Sequence, residues 1–241
     1  MMYKERLLNI YKNKLCIYIY YTYIYMLNFG YIIPLICFWH TITNEVSKYK
    51  PLDVSNNIIS LTHCLLFMVH YNFDYNINYA VHMSIGYYIY DLAYITSCIY
   101  KSKSKDEFIR RYPFIIHHFI GLYLLNACIS DTGESKFHLL YGYNILETSN
   151  IMLYISYYLH KEYTSYFYLN IMSEFIQLLW YSYYRIVKQF IFIFINKTYF
   201  FKFRYPTQFL IVIIYFMGII WSYKLVKKNI KNYNILKRSL H

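Results

Sequence analysis

Seven long apolar blocks, separated by short polar segments, dominate this 241-residue sequence. Most approach or exceed the ~20 residues that a helix needs to cross the hydrocarbon core of a bilayer. The blocks cover residues 15–43, 54–71, 80–100, 112–129, 137–159, 166–195 and 207–226. They predict an all-α polytopic membrane bundle of six to seven transmembrane helices, because a helix satisfies its own backbone hydrogen bonds in lipid. Pro113 is expected at the first position of the fourth helix.

The composition excludes a soluble domain and extensive disorder. Apolar residues make up 58% of the chain and charged residues only 15%, whereas a soluble domain carries about 25% charged residues. All five cysteines fall inside apolar blocks, and no CxxC pair is present. The cysteines are therefore interpreted as buried helical thiols rather than disulfide or zinc ligands.

The net charge of +12 points to lipid headgroups as the partner rather than to nucleic acid, because the basic residues lie between apolar blocks. With the C-terminus in the cytosol, the cytosolic segments hold 14 of the 24 Lys and Arg and the lumenal segments hold 8. This bias predicts a cytosolic C-terminus. If residues 15–43 did not span the membrane, the N-terminus would become cytosolic as well. The predicted units are an N-terminal segment with the first helix (1–43), a six-helix domain (44–228) and a basic tail (229–241).

Ionisable residues inside the blocks are candidates for function, because each costs several kcal/mol in hydrocarbon unless it is paired or hydrated. His117 and His118 are adjacent, so their side chains point about 100° apart on a helix and only one faces a common ligand well. We favour His117 as the residue that faces a cavity and accepts a proton, because Gly121 lies one turn further along its face. Two hydrogen-bonding histidines of the bundle are the alternative.

Two carboxylates complete the candidate catalytic residues. Asp91 lies in mid-block on a tyrosine-rich face, where it could orient a histidine or hold a substrate amine. A packing carboxyl group with tyrosine partners is the alternative. Glu147 lies among Asn144, Thr148 and Asn150, the most polar patch in any block. Counted from the predicted cytosolic end at ~1.5 Å per residue, the catalytic candidates lie roughly 8 to 18 Å deep, which predicts one shared cavity.

The other patterns are less specific. In the sixth block, Glu174 is expected to pair with Arg185 or Lys188 as a structural network. The bare histidine pair lacks the further histidine boxes of a membrane di-iron site, so no metal site and no bound cofactor are predicted. Nucleophile-elbow, zinc-protease and phosphate-loop motifs do not occur.

The order of several segments resembles the TLC-domain family. That family includes ceramide synthases, TRAM proteins and small lipid-regulating proteins. The segments are SLTHCLLFMVH, GYYIYDLAYI, FIIHHFIGLYLL, LLYGYNILETSNIMLYISYYL and the late Arg185 in WYSYYRIV. The resemblance covers about residues 44–228 and implies a helical bundle of the endoplasmic reticulum, or a related endomembrane, around a lipid-accepting cavity.

The resemblance is closer to the small members than to the ceramide synthases. The ceramide synthase signature joins HH to a downstream HDxSD, and here Leu146, Glu147 and Asn150 replace its histidine and its two aspartates. The implied function is lipid homeostasis, by binding or acylating a lipid. One alternative is an acyltransferase of ceramide-synthase type, with acyl-CoA as co-substrate and a sphingoid-type acceptor. Another is a non-enzymatic cargo or translocon-associated factor.

Overall fold

The computed structural model describes residues 30–73, 76–102, 104–131 and 133–239, and these residues are helical with no strands. Part of the first predicted block, residues 15–29, lies outside these ranges. The helices are α1 (30–47), α2 (Leu52–Asn72), α3 (Ile77–Ser102), α4 (Lys105–Ser130), α5 (Gly133–Glu162), α6 (Phe167–Ser182), α7 (Lys197–Phe200) and α8 (Tyr205–Ser239). Between α6 and α7 the chain forms two π-helical stretches, Tyr183–Lys188 and Ile191–Ile195.

Three helical segments of the described chain are long and apolar enough to cross a membrane. They are Leu52–Asn72, Phe108–Ser130 and Tyr205–Ile235. Helices α3 and α5 have 26 and 30 residues, but tyrosines in α3 and the polar segment around Glu147 in α5 lower their hydropathy. The described part of the chain is therefore helical, with three segments long and apolar enough to cross a membrane.

The distribution of polar and apolar side chains also fits a lipid environment. Glu147, Glu174 and Arg185 are each only 1% exposed. Large apolar side chains such as Phe209 and Phe216 are more than half exposed on the outside of α8. Buried charges and an apolar exterior reverse the usual pattern of a soluble domain.

Helix α5 is the central element of the packing. It contacts α2, α4 and α6, while α3 packs against α2 and α4, and α8 packs against α4 and α6. On the outside of α3, the Trp39 indole of α1 donates a hydrogen bond to the Met83 carbonyl at 3.0 Å. A Cβ on Gly86 would lie 2.7 Å from the Leu35 Cβ, so glycine at this position permits the close approach of α1 and α3.

Two local expectations from the sequence are corrected. Helix α4 begins at Lys105, so Pro113 lies inside the helix rather than at its first position; the charged turn before the apolar block is itself helical. The cysteines are also not uniformly buried. Cys64 and Cys128 are buried, but Cys37 is exposed and Cys98 is intermediate, because apolar blocks of a membrane protein present one face to lipid.

One end of the bundle gathers basic and acidic side chains. Lys161, near the end of α5, lies 2.9 Å from Asp53 in the first turn of α2. Lys50 and Glu162 form a second ion pair between the same two regions. The hydrogen bond to Asp53 raises the pKa of Lys161 above its ordinary value. We call this the basic end; the segments that the sequence analysis predicts to be cytosolic meet here.

Candidate functional site

A cavity of about 590 Å³ opens at the basic end between α2, α3, α4 and α5. Its rim carries the exposed side chains of Arg110 and Lys161, and its inner wall carries the buried side chains of Asp91 and His118. Among the described residues, the lining is formed by Asp53, Asn56, Asn57, Ser60, Asp91, Tyr94, Ile95, Arg110, Arg111, Phe114, His118, Tyr154, Tyr157 and Lys161. Most of these side chains carry a polar group, so the cavity can form hydrogen bonds to the polar part of a ligand.

Asp91 of α3 and His118 of α4 form an ion pair on the inner wall. His118 Nε2 lies 2.7 Å from Asp91 Oδ2. The amide of Asn56 on α2 donates a hydrogen bond to the other carboxylate oxygen, Oδ1, at 2.9 Å. Both members of the pair are nearly buried, at 5% and 6% exposure. Three helices therefore fix this pair, and the contact with a histidine is one of the roles that the sequence allows for Asp91.

The hydrogen bonds of His118 limit the protonation states of the pair. His118 Nδ1 lies 2.8 Å from the Phe114 carbonyl oxygen, which can only accept, so Nδ1 carries a proton. His118 Nε2 lies 2.7 Å from the Asp91 carboxylate oxygen Oδ2. Two acceptors without a proton would repel each other at this distance, so one further proton lies between the two atoms. The pair thus holds one shared proton, either as imidazolium and carboxylate or as imidazole and carboxylic acid. With its shared proton in place, the Asp91–His118 pair can act as a proton donor. It can act as a proton acceptor only after that proton has been given away.

The expectation that His117 faces the cavity is wrong. Among the described residues that line the cavity, His118 is present and His117 is not. The His117 ring instead packs with Tyr88, His118 and Trp221. The argument from Gly121 fails for a steric reason: a Cβ there would lie 3.0 Å from the Tyr88 ring, so the space beside this glycine is already filled.

Glu147 belongs to a separate buried cluster. The prediction that all the catalytic candidates line one cavity is therefore wrong for Glu147 as well as for His117. Its Oε1 accepts a hydrogen bond from the Tyr88 hydroxyl at 2.6 Å, and its Oε2 accepts one from the Cys64 thiol at 3.0 Å. His63 Nδ1 lies 3.6 Å from Oε2. The described lining of the cavity does not include Glu147, because its side chain points between α2 and α3.

The predicted pairing of Glu174 with Arg185 or Lys188 is also wrong. Arg185 Nε donates to Ser149 Oγ at 2.7 Å, so this arginine holds the polar segment of α5 that follows Glu147. Glu174 pairs instead with Lys228 of α8, at 2.8 Å, and with His160 of α5. The change from α-helical to π-helical geometry after Ser182 makes a simple α-helical face unreliable for these positions.

Sequence reasoning missed two residues that contribute to these clusters. Asn56 was not identified, because its role depends on where α2 crosses α3. Cys64 was interpreted only as a buried thiol, although it adjoins His63 in the segment SLTHCLLFMVH. The available signal was the adjacent His–Cys pair inside an apolar block, where two polarisable ligand groups are uncommon neighbours.

Comparisons with known proteins identify no relative. A scan against protein-family models finds no family that matches the chain, and searches of curated proteins and of solved structures find no match either.

Proposed function

We propose that this chain is a multi-pass membrane protein of lipid homeostasis, with a TLC-like domain that binds the polar part of a lipid in the cavity at the basic end. The observation that carries the proposal is the position of the Asp91–His118 pair on the inner wall of that cavity. In this proposal α3, α5 and α6 cross the bilayer together with the three apolar segments, which gives six spans, and the block that contains α1 gives the seventh. An endomembrane location with a cytosolic C-terminus belongs to the same proposal.

The charge of the lining favours a lipid with an anionic group. Three Lys and Arg side chains line the cavity against the carboxyl groups of Asp53 and Asp91, and the proton shared within the Asp91–His118 pair cancels the charge of one of these groups. Arg110 and Arg111 lie near the predicted cytosolic surface of the membrane. There the planar guanidinium group of an arginine can bind a phosphate or carboxylate group of a lipid with two parallel hydrogen bonds. A hydrocarbon chain would remain in the membrane while its headgroup enters the cavity.

The histidine–aspartate pair also favours acyl transfer from acyl-CoA to an amine or hydroxyl of a lipid. In this reaction the acceptor nitrogen or oxygen attacks the thioester carbonyl, the C–S bond breaks, and the Asp91–His118 pair gives its shared proton to the leaving thiolate. The proton lost by the acceptor then restores the pair, so protons and charge balance. His118 would act first as a proton donor rather than as the acceptor that the sequence suggested.

The adjacent histidines provide a matched test of this proposal. We would purify wild type, His118→Ala, Asp91→Asn and His117→Ala, and measure transfer from labelled acyl-CoA to sphingoid and glycerolipid acceptors. We expect His118→Ala and Asp91→Asn to lose about 10²–10⁴-fold in rate, and His117→Ala to stay near wild type. Absence of transfer by wild type, or equal transfer by all four proteins, would remove the catalytic part of the proposal.

Lipid binding needs a separate measurement. We would compare the binding of fluorescent phosphatidic acid and phosphatidylcholine to wild type and to Arg111→Gln. The control is Lys202→Gln, at the opposite end of the bundle, where Lys202 pairs with Glu134. We expect Arg111→Gln alone to weaken binding of the anionic lipid. If wild type binds neither lipid above background, the proposed function is wrong.

A further inference from the structure

The side chains of His63, Cys64 and Glu147 bring a nitrogen, a sulfur and an oxygen atom together inside the bundle. These three ligand atoms all lie within 4.8 Å of one another. All three residues are almost completely buried, at 2%, 1% and 1% exposure. His63 and Cys64 are consecutive on α2, and Glu147 faces them from α5.

The His63 ring is held with one nitrogen directed at this cluster. Nε2 lies 2.9 Å from Ser84 Oγ, and the ring stacks on Tyr87 with 4.1 Å between centroids. The other nitrogen, Nδ1, has no hydrogen-bond partner and lies 3.6 Å from Glu147 Oε2. When Nε2 donates its proton to Ser84, Nδ1 presents a lone pair to the carboxylate. Two acceptors then face each other without a proton, and a cation between them would satisfy both.

The carboxylate is held in a similar way. The Tyr88 hydroxyl binds Oε1 at 2.6 Å and leaves Oε2 directed at Cys64 and His63. Metal-binding histidines and carboxylates usually have such outer hydrogen bonds, which fix the orientation of the ligand. Here Ser84 would support the histidine and Tyr88 would support the glutamate.

We propose that His63, Cys64 and Glu147 bind a divalent zinc ion that links α2 to α5. Nitrogen, thiolate sulfur and carboxylate oxygen are the ligands that Zn²⁺ takes, at ~2.0–2.3 Å in tetrahedral geometry, so ligand atoms lie about 3.4–3.6 Å apart. The separations from Oε2 are 3.0 and 3.6 Å, and no two of the three ligand atoms lie more than 4.8 Å apart, so rotations of these side chains would bring them to this spacing.

Charge balance favours the same ion. A neutral imidazole, a thiolate and a carboxylate together carry two negative charges, which Zn²⁺ neutralises in a site that water does not solvate. The Cys64 thiol, which donates to Glu147 without metal, loses its proton to bulk solvent when zinc binds. Three protein ligands leave a fourth position for a water molecule. The cluster lies outside the lining of the cavity, so this proposal does not depend on the proposed function.

The test uses the full-length protein purified in detergent without chelator. We would measure zinc content by mass spectrometry, then replace zinc with Co²⁺ and record the near-ultraviolet thiolate-to-cobalt absorption band. We expect about one zinc ion per chain in wild type, and a cobalt band that Cys64→Ser removes. Cys128→Ser is the matched control, because Cys128 is equally buried on α4 outside the cluster; its band should equal that of wild type.

A second variant keeps the test decisive if Cys64→Ser fails to fold. Serine at the other four cysteines leaves Cys64 as the sole thiol, and the cobalt band should persist in that protein and disappear on adding Glu147→Gln. Folded wild type that binds no zinc and gives no cobalt band would overturn the proposal. The proposal would also be overturned if Cys64→Ser and Cys128→Ser reduced the cobalt band equally. It would be overturned as well if the protein with Cys64 as its sole cysteine gave no cobalt band.

Discussion

The Tyr88 side chain contacts both buried carboxylate clusters: its hydroxyl donates to Glu147 at 2.6 Å, and its ring lies edge-on to His118 with 4.7 Å between centroids. Glu147 belongs to the cluster with His63 and Cys64, whereas His118 belongs to the cavity with Asp91. Tyr88 thus separates two sites that the sequence analysis had merged into one.

We predict that Tyr88→Phe destabilises the protein by about 1–3 kcal/mol. The substitution keeps the ring but removes a hydrogen bond to a carboxylate that water cannot reach, and the unsatisfied acceptor causes the loss. Unfolding in mixed micelles of mild detergent and dodecyl sulfate would measure it. Tyr168→Phe is the control, since Tyr168 is 67% exposed and should behave as wild type. Equal stability of all three proteins would contradict this account of Glu147.

A second prediction concerns the buried carboxylate of Glu174. Lys228 and His160 pair with it from α8 and α5. The side-chain amide of Asn232 also donates to this carboxylate. Replacing the two ion-pair partners, by Lys228→Met and His160→Leu, should destabilise the protein by about 3–5 kcal/mol, because the buried charge then keeps only an uncharged partner. Adding Glu174→Leu to the double variant should recover most of that loss.

The same unfolding measurement tests the Glu174 prediction. The comparison of double and triple variants separates the cost of a buried charge from the loss of packing. A triple variant as unstable as the double variant would show that contacts between α6 and α8, rather than the charge, cause the change.

The ion pair of Glu134 and Lys202, outside the membrane segments, should give a small pH dependence. Lys202 Nζ lies 3.0 Å from Glu134 Oε2, and this hydrogen bond lowers the pKa of Glu134 below its ordinary value. A carboxyl whose pKa is lower in the folded state stabilises the fold above its unfolded pKa. This contribution is lost as the pH falls through the folded pKa.

The expected result is a slightly lower melting temperature for Glu134→Gln than for wild type at neutral pH, with no difference in strong acid. High salt should shrink the neutral-pH difference, because both partners are exposed and screened. Differential scanning fluorimetry in detergent at both pH values would measure this. A difference that persists unchanged in acid would exclude the ion pair as its cause.

Apolar block length and spacing predicted the helical architecture well. Blocks at 54–71, 80–100 and 137–159 lie within α2, α3 and α5, because burial in lipid or in the bundle requires continuous apolar helices. The contact of Asp91 with a histidine is one of the roles that its position inside an apolar block suggests. The sequence does not show which of His117 and His118 faces the cavity, because this depends on how α4 is rotated against α3. Tyr88 fills the space beside Gly121, which the sequence could not reveal either. The partners of Glu174 were equally inaccessible, because Lys228 lies on a distant helix and His160 lies across a turn.

The orientation of the bundle in the membrane gives the last prediction. The basic end gathers Lys50, Arg110 and Lys161, and basic segments stay on the cytosolic side of membrane helices. We therefore expect protease added to sealed microsomes to remove a tag at the C-terminus while a lumenal marker stays intact. A membrane-impermeant maleimide should label Lys105→Cys in sealed microsomes in a background without other cysteines, and Lys202→Cys only after permeabilisation. A protected tag together with the opposite labelling pattern would invert the orientation and place the mouth of the cavity in the lumen, away from cytosolic acyl-CoA.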